Sequence, residues 1–245
     1  MNESGNTNLI TGGANGIGKA LAVRFLKADN TVIVCGRDRQ KLEEAKKETP
    51  RLHVLYSDLS VEADRIRLYE AVTREFPKTN VLINNAAIQR HPRIDANEPW
   101  VATKEELETN LNAPLHLTQL FVQHLAKQRA PAVVLTTSGL AHVPRSVAPI
   151  YCATKAALHS YALSLRHQLA RLDVEVIEIC PPHVNTDLGG VGQNTAGIDL
   201  DTFADAVMAG LRQRNPEITY GFSTKVANAT PAERAQLFKQ MNPGS

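Results

Sequence analysis

The chain of 245 residues sets 27 lysines and arginines against 25 aspartates and glutamates, a formal net charge of +2, with 43% hydrophobic and 21% charged residues. This length accommodates one large α/β core, and the composition excludes a disordered or fibrous chain. Acidic and basic residues alternate in stretches such as "RDRQKLEEAKKE" instead of forming a basic block, so nucleic acid is not an expected partner.

In chain order, the start "MNESGNTNLITGG" has no charged segment followed by an apolar run. No later stretch nears the roughly 18 uninterrupted apolar residues of a membrane span, so no membrane association is expected. Short β-branched runs then recur: "NLI" before Thr11, "TVIVC" from Thr31, "HVLY" from His53, "VLI" from Val81, "AVVLTT" from Ala132 and "VEVIEI" from Val174. Between them lie stretches with helical spacing, such as Ala20, Leu21, Val23, Phe25 and Leu26, then Ile66, Leu68, Ala71, Val72 and Phe76. Strand alternating with helix predicts a doubly wound, mostly parallel sheet of the Rossmann type in a single domain over residues 1–245. Function is then expected at the carboxyl ends of the strands. The stretch "TDLGGVGQNTAGID", from Thr186 to Asp199, is rich in Gly, Asn and Thr, and a substrate lid is expected around residues 186–200. Cys35, Cys152 and Cys180 are isolated and lack CxxC spacing, which suggests neither a disulfide framework nor a metal site, and a reducing, cytoplasmic compartment fits them.

The turn "TGGANGIG", Thr11 to Gly18, falls between the first apolar run and the first helical stretch. Glycines at Gly12, Gly16 and Gly18 permit a tight turn and close backbone approach to a ligand, and the following helix offers free N–H groups and a positive dipole end to phosphate. No Lys-Ser or Lys-Thr pair follows, which disfavours nucleoside triphosphate. The second strand ends "VIVCGRD", with Gly36 where an acid would bind the 2′-hydroxyl of NAD, followed by Arg37, whose planar fork suits a 2′-phosphate. NADP(H) is therefore expected over NAD(H). Asp38 is read as the N-cap of the "RQKLEEAKKE" helix, with a ribose ligand as the alternative.

Four motifs in order, TGGANGIG, "NNAA" at Asn84 to Ala87, Ser138 in "TTSGLA" and "YCATK" from Tyr151 to Lys155, resemble the compact single-domain branch of the short-chain dehydrogenase/reductase family. The 13-residue separation of Ser138 and Tyr151 is the family's usual one. The likeness runs from about Thr7 to about Thr186, and "LNAPLHLTQLF" and "YCATKAALHSYALSLRHQL" look most like its DltE-like oxidoreductases. Position by position, the resemblance implies catalytic Asn110, Ser138, Tyr151 and Lys155, with Asn110 holding a proton-relay water. It further implies cofactor contacts at Gly12, Asn15, Gly16, Ile17, Gly18, Arg37, Asp58, Leu59, Asn84, Ala86, Tyr151, Lys155, Val184 and Thr186. Read without the family, Asp58 is a turn residue or helix-start acid, Asn84 a strand-supporting loop residue and Asn110 an ordinary helix polar residue. The chain departs from the family in Ala87, where glycine is usual, and in Pro181-Pro182 for a Pro-Gly pair, which predicts a stiffer nicotinamide loop.

Carbonyl reduction needs a hydride, which the nicotinamide carries, and a proton, for which Tyr151 is the candidate acid. A tyrosine pKa of about 10 lies roughly three units, or about 4 kcal/mol, from neutral pH. A lysine four residues on shares its helix face, and a unit charge about 4 Å away supplies on the order of 4 kcal/mol at an effective dielectric of ~20. Ser138 would steady developing charge on the substrate oxygen. "TTSGLA" is not GxSxG, which discounts a hydrolase. Cys152 should point away from the chemistry, whereas His142, His183 and Arg145 are candidate pocket residues, each with an equally good structural or solvated reading. The expected partner is a small carbonyl or alcohol. The apolar surface after Tyr151, at Ala153, Ala156, Ala157, Leu158, Leu163 and Leu165, together with the family's use of this helix and of Leu115 to Leu125 for pairing, implies a homodimer or homotetramer. The competing function is a non-catalytic NADP(H)-sensing regulator of the same fold, which would need no proton relay.

Overall fold

Strands that are buried on both faces carry no alternation for solvent to read, and the continuous apolar runs of this chain pair accordingly into one parallel sheet. The computed structural model describes residues 1–244. Chain order runs β1 (Thr7–Thr11), α1 (Gly16–Lys27), β2 (Thr31–Gly36), α2 (Arg39–Glu48), β3 (His53–Tyr56), α3 (Glu62–Glu75) and β4 (Val81–Asn84). It continues through α4 (Trp100–Leu107), a π-helical turn (Glu108–Asn112), α5 (Ala113–Leu125), β5 (Ala132–Thr136) and α6 (Pro149–Leu169). The last part is β6 (Glu175–Cys180), α7 (Leu200–Arg212), β7 (Glu217–Thr219), α8 (Phe222–Ala227) and α9 (Pro231–Met241).

The strands lie in the order β3-β2-β1-β4-β5-β6-β7 and every pairing is parallel, so the chain reverses its direction of growth between β1 and β4. Helices α1, α2 and α7 cover one face through Leu21, Phe25, Leu42 and Phe203. Helices α3, α5 and α6 cover the other through Val72, Phe121 and Leu165. This is the doubly wound Rossmann architecture that the strand–helix alternation predicts. The six expected strands are present within a residue or two of their runs. The seventh, β7, escapes the apolar pattern because it is only three residues long and Ile218 is its one buried side chain.

A third, small cluster joins Val143 to Val226 of α8 and Leu237 of α9. It lays the C-terminal helices against the turn that follows β5 and brings Phe222 and Met241 to the carboxyl edge of the sheet. Helix α9 begins with a reciprocal capping box between Thr230 and Glu233, which satisfies N–H groups that a helix start leaves unpaired. Among the described residues no helix is long and apolar enough to cross a membrane.

Candidate active site

A cavity of about 890 Å³ opens along the carboxyl edge of the sheet, lined from the ends of β1 to β6. Its position follows from topology: the loops after β1 and β4 diverge to opposite faces and leave a crevice between them. Thr11 stitches the two sides, its hydroxyl accepting from Asn85 N at 2.9 Å and Ala86 N at 3.0 Å. The Asn85 amide donates back to Thr11 O at 3.0 Å.

The glycine turn forms the floor. Gly12 has φ +63°, and a Cβ there would stand 2.8 Å from Ala86 Cα. Gly16 has φ +52° and lies beneath Thr186. Gly18 does not line the cavity; a Cβ on it would meet Asn85 Nδ2 and Gly12 O at 2.5 Å, so its role is close packing of α1. Asn15, Gly16 and Ile17 do line it, and α1 starts with neither a side-chain cap nor an acidic residue in its first turn. Those N–H groups and the positive helix end suit a dinucleotide's pyrophosphate.

Toward the other side of the sheet, Arg37 lines the cavity, but its guanidinium is already paired with Glu105 of α4, which also pairs Arg90. Asp38 caps α2, accepting from Lys41 N at 3.1 Å. Asp58 lines the cavity beside Leu59 while its carboxylate accepts from Ser60 N at 3.0 Å and Ser60 Oγ at 2.7 Å. Ala86 also lines it, but Asn84 does not: its amide donates to Thr118 Oγ1 at 3.4 Å within the core, and Asn85 takes the facing position. Ala87 is absent from the non-glycine residues of positive φ among the described residues, so its methyl costs no backbone strain.

Helix α6 carries Tyr151 and Lys155 on successive turns. Tyr151 and Lys155 are 5% and 2% exposed and both line the cavity with Ser138. Lys155 Nζ donates to Thr136 O at 2.7 Å and lies 5.5 Å from the Tyr151 ring centroid. Burial pushes the Tyr151 phenol above its ordinary range, with the facing Ser138 hydroxyl opposing the rise. Burial also pulls the Lys155 ammonium down to about 8, opposed by Cys180. Desolvation thus sets the direction at both ends of YCATK, whereas the spacing alone suggests that the Tyr–Lys attraction would. Ser138 Oγ accepts from Leu140 N at 3.1 Å.

Asn110 sits in the π-helical turn and does not line the cavity. Its Oδ1 accepts from Ile88 N at 2.8 Å and its Nδ2 donates to Ile88 O at 2.7 Å, so it braces the backbone after β4. His142 is likewise withdrawn: its ring packs at 4.6 Å against His159, and burial lowers it to about 4. His183, Arg145, Val184 and Thr186 do line the cavity. The loop expected as a lid wraps around Asn194, whose amide donates to Thr186 O at 2.9 Å and Leu188 O at 2.6 Å while Oδ1 meets His183 Nε2 at 2.7 Å. The sequence reading missed Glu105 and Arg90 beside Arg37, and Thr137, His159 and Glu178 behind Ser138. Of these only His159 leaves a local trace, standing four residues past Lys155 as Lys155 stands past Tyr151.

The short chain dehydrogenase family model matches residues 6–195. An uncharacterized oxidoreductase, DltE of Bacillus subtilis, is 44% identical over 250 residues, spanning 99% of this chain and 98% of its own. Among solved structures, a short chain dehydrogenase from Burkholderia cenocepacia in complex with NADP superposes with a TM-score of 0.84 at 24% identity, covering 98% of this chain and 99% of that one. A 3-ketoacyl-(acyl-carrier-protein) reductase from Brucella melitensis complexed with NADH gives 0.80 at 23% identity, covering 91% and 100%.

Two glycine replacements separate strained from unstrained positions in the cavity wall. Gly12→Ala must place Cβ at positive φ against Ala86 Cα and should lower unfolding free energy by roughly 1–3 kcal/mol. Gly36→Ala, with only Leu42 Cδ2 at 3.9 Å, should stay within about 0.5 kcal/mol of the wild type. Urea titrations of both variants check this, and equal midpoints would contradict it.

Proposed function

This chain belongs to the short chain dehydrogenase family, and from that premise we propose an oxidoreductase that transfers hydride between NADP(H) and a small carbonyl or alcohol. The observation that carries the reading is the convergence of buried Tyr151, Lys155 and Ser138 on one cavity floored by the glycine turn. A module that only binds nucleotide has no use for a phenol and an ammonium desolvated side by side.

The residues present fit a dinucleotide: uncapped N–H groups at α1, two glycines of positive φ beneath the ligand path, and Arg37 at the end of β2. Asn15, Gly16 and Ile17 would hold the pyrophosphate, Arg37 the 2′-phosphate, Asp58 and Leu59 the adenine, and Val184 and Thr186 the carboxamide end. When bound, the nicotinamide supplies or accepts the hydride. Tyr151 keeps its proton at Oη through neutral pH and delivers it to the substrate oxygen, which Ser138 steadies. Lys155 is charged below about pH 8 and favours the phenolate left behind, so its help fades as pH rises through that value. Asn110 acts by fixing Ile88 beside the cofactor path. The stretch 186–200 serves as the substrate lid. The chain works as a homodimer or homotetramer: Ala153, Ala156 and Leu163 of α6 face outward, whereas Leu158 and Leu165 belong to the core.

Four outcomes are expected. Arg37→Ala should weaken NADPH binding roughly tenfold or more, the loss of a charge-assisted contact of about 1.5–3 kcal/mol, and leave NADH nearly unaffected. Fluorescence titration measures both, and equal losses would remove the 2′-phosphate assignment. With a substrate found in a panel of aldehydes, ketones and sugars, Tyr151→Phe should cut turnover by about 10²–10⁴ while keeping NADPH affinity. Lys155→Met should lose turnover and affinity together, since the family's lysine also holds the nicotinamide ribose. Substantial Tyr151→Phe activity would sink the acid–base role. Finally, light scattering at micromolar concentration should show a dimer or tetramer, and a monomer would contradict the assembly.

A further inference from the structure

Glu178 is a carboxylate in the middle of β6, fully buried in a sheet covered on both faces, and hydride transfer as described above makes no use of it. A buried carboxylate is costly unless it is paired and hydrogen-bonded. Its partners are Thr137, whose Oγ1 donates at 2.6 Å, and His159 of α6, whose Nδ1 lies 3.0 Å from both carboxylate oxygens. Glu217 stands next to it in register on β7, and the edge of His142 packs against His159 from the side of the turn after Ser138.

The helical spacing gives this cluster a purpose. Tyr151, Lys155 and His159 follow one another at four-residue intervals and share one face of α6. Each addresses one of three consecutive residues at the end of β5. Lys155 holds the Thr136 carbonyl, His159 reaches the Thr137 hydroxyl through Glu178, and Tyr151 faces Ser138. The backbone there is tied to β6 on either side of Ser138, by Thr137 N to Ile179 O at 2.8 Å and Gly139 N to Pro181 O at 2.9 Å. The single hydroxyl proton of Thr137 can go to Glu178 at 2.6 Å or to Ile179 O at 3.3 Å, and the shorter, charge-assisted bond wins.

We propose that His159 and Glu178 are positioning residues, which act through Thr137 to set Ser138 opposite Tyr151 and so couple the reactive face of α6 to the end of β5. The kinetic part of this rests on the hydride-transfer reading, while the mechanical part does not. Neither His159 nor Glu178 lines the cavity, so any effect on turnover must travel through the segment they hold.

The test uses the full chain and three variants: Thr137→Val, Thr137→Ser, and the charge-neutral double variant His159→Gln/Glu178→Gln, which avoids stranding a buried carboxylate. Thermal unfolding reports folding, hydrogen exchange reports the 136–142 segment, and steady-state kinetics with NADPH and a carbonyl from the panel report kcat and KM. Thr137→Val and the double variant should lose about 10- to 100-fold in kcat with KM and NADPH affinity unchanged, and both should exchange faster over 136–142. Thr137→Ser, which keeps the hydroxyl, should restore turnover and protection. Wild-type kcat in either disrupted variant, or equal damage from Val and Ser at Thr137, would overturn the proposal. If the wild type reduces nothing in the panel, the hydride-transfer reading fails and exchange alone decides: unchanged protection overturns the clamp, and lost protection in the two disrupted variants but not in Thr137→Ser supports it.

Discussion

A parallel sheet points the carboxyl ends of all its strands at one edge, and the large cavity of this molecule opens along that edge. The reversal between β1 and β4 opens the crevice, and bonds from Thr11 to Asn85 and Ala86 extend the β1–β4 pairing into its mouth and hold its width. Gly12 lets the floor approach Ala86 more closely than any side chain could. The glycine turn is therefore one wall of a joint whose other wall is the segment after β4. Asn110 carries the same restraint further by gripping both backbone groups of Ile88.

Burial is the second organising force, and it works against the simplest view of the Tyr151–Lys155 pair. A lysine beside a tyrosine is expected to make the phenol more acidic, yet here the phenol is raised and the ammonium lowered, because both lie almost wholly out of water. Desolvation penalises the charged form of each group, and the Thr136 carbonyl offers Lys155 a dipole but no charge. The phenol thereby keeps its proton at neutral pH, while the ammonium is held down to about 8.

At the opposite end of the cavity, charges are exposed enough to share partners. Glu105 joins Arg37 to Arg90, one from the end of β2 and one from the loop after β4, so the residue read as a phosphate ligand is already half of an ion-pair cluster. Partly exposed pairs of this kind are weak individually and readily rearranged. Pro181-Pro182 follows β6 directly: the Pro181 carbonyl accepts from Gly139 N, and Pro182 brings a fixed φ and no N–H donor.

The alternation of apolar runs with helical spacing was enough to derive the doubly wound sheet. The glycine turn, the Asp38 cap and the Tyr151–Lys155 spacing were equally legible, because each depends on a φ angle, a helix start or a helical period set within a few residues. Other features left no such trace. Strand β7 exists because Ile218 is covered by its neighbours, not because its run is apolar. Asn84 and Asn85 are identical in sequence, and only the pleat at the end of β4 decides that the first turns into the core and the second into the cavity. Glu178 with His159, and Glu105 with Arg37 and Arg90, unite residues separated by 15 to 68 positions. A charge is written locally in the sequence, but its burial and its partner are not: what neutralises it is set by the elements that packing brings alongside, and only the folded chain decides that.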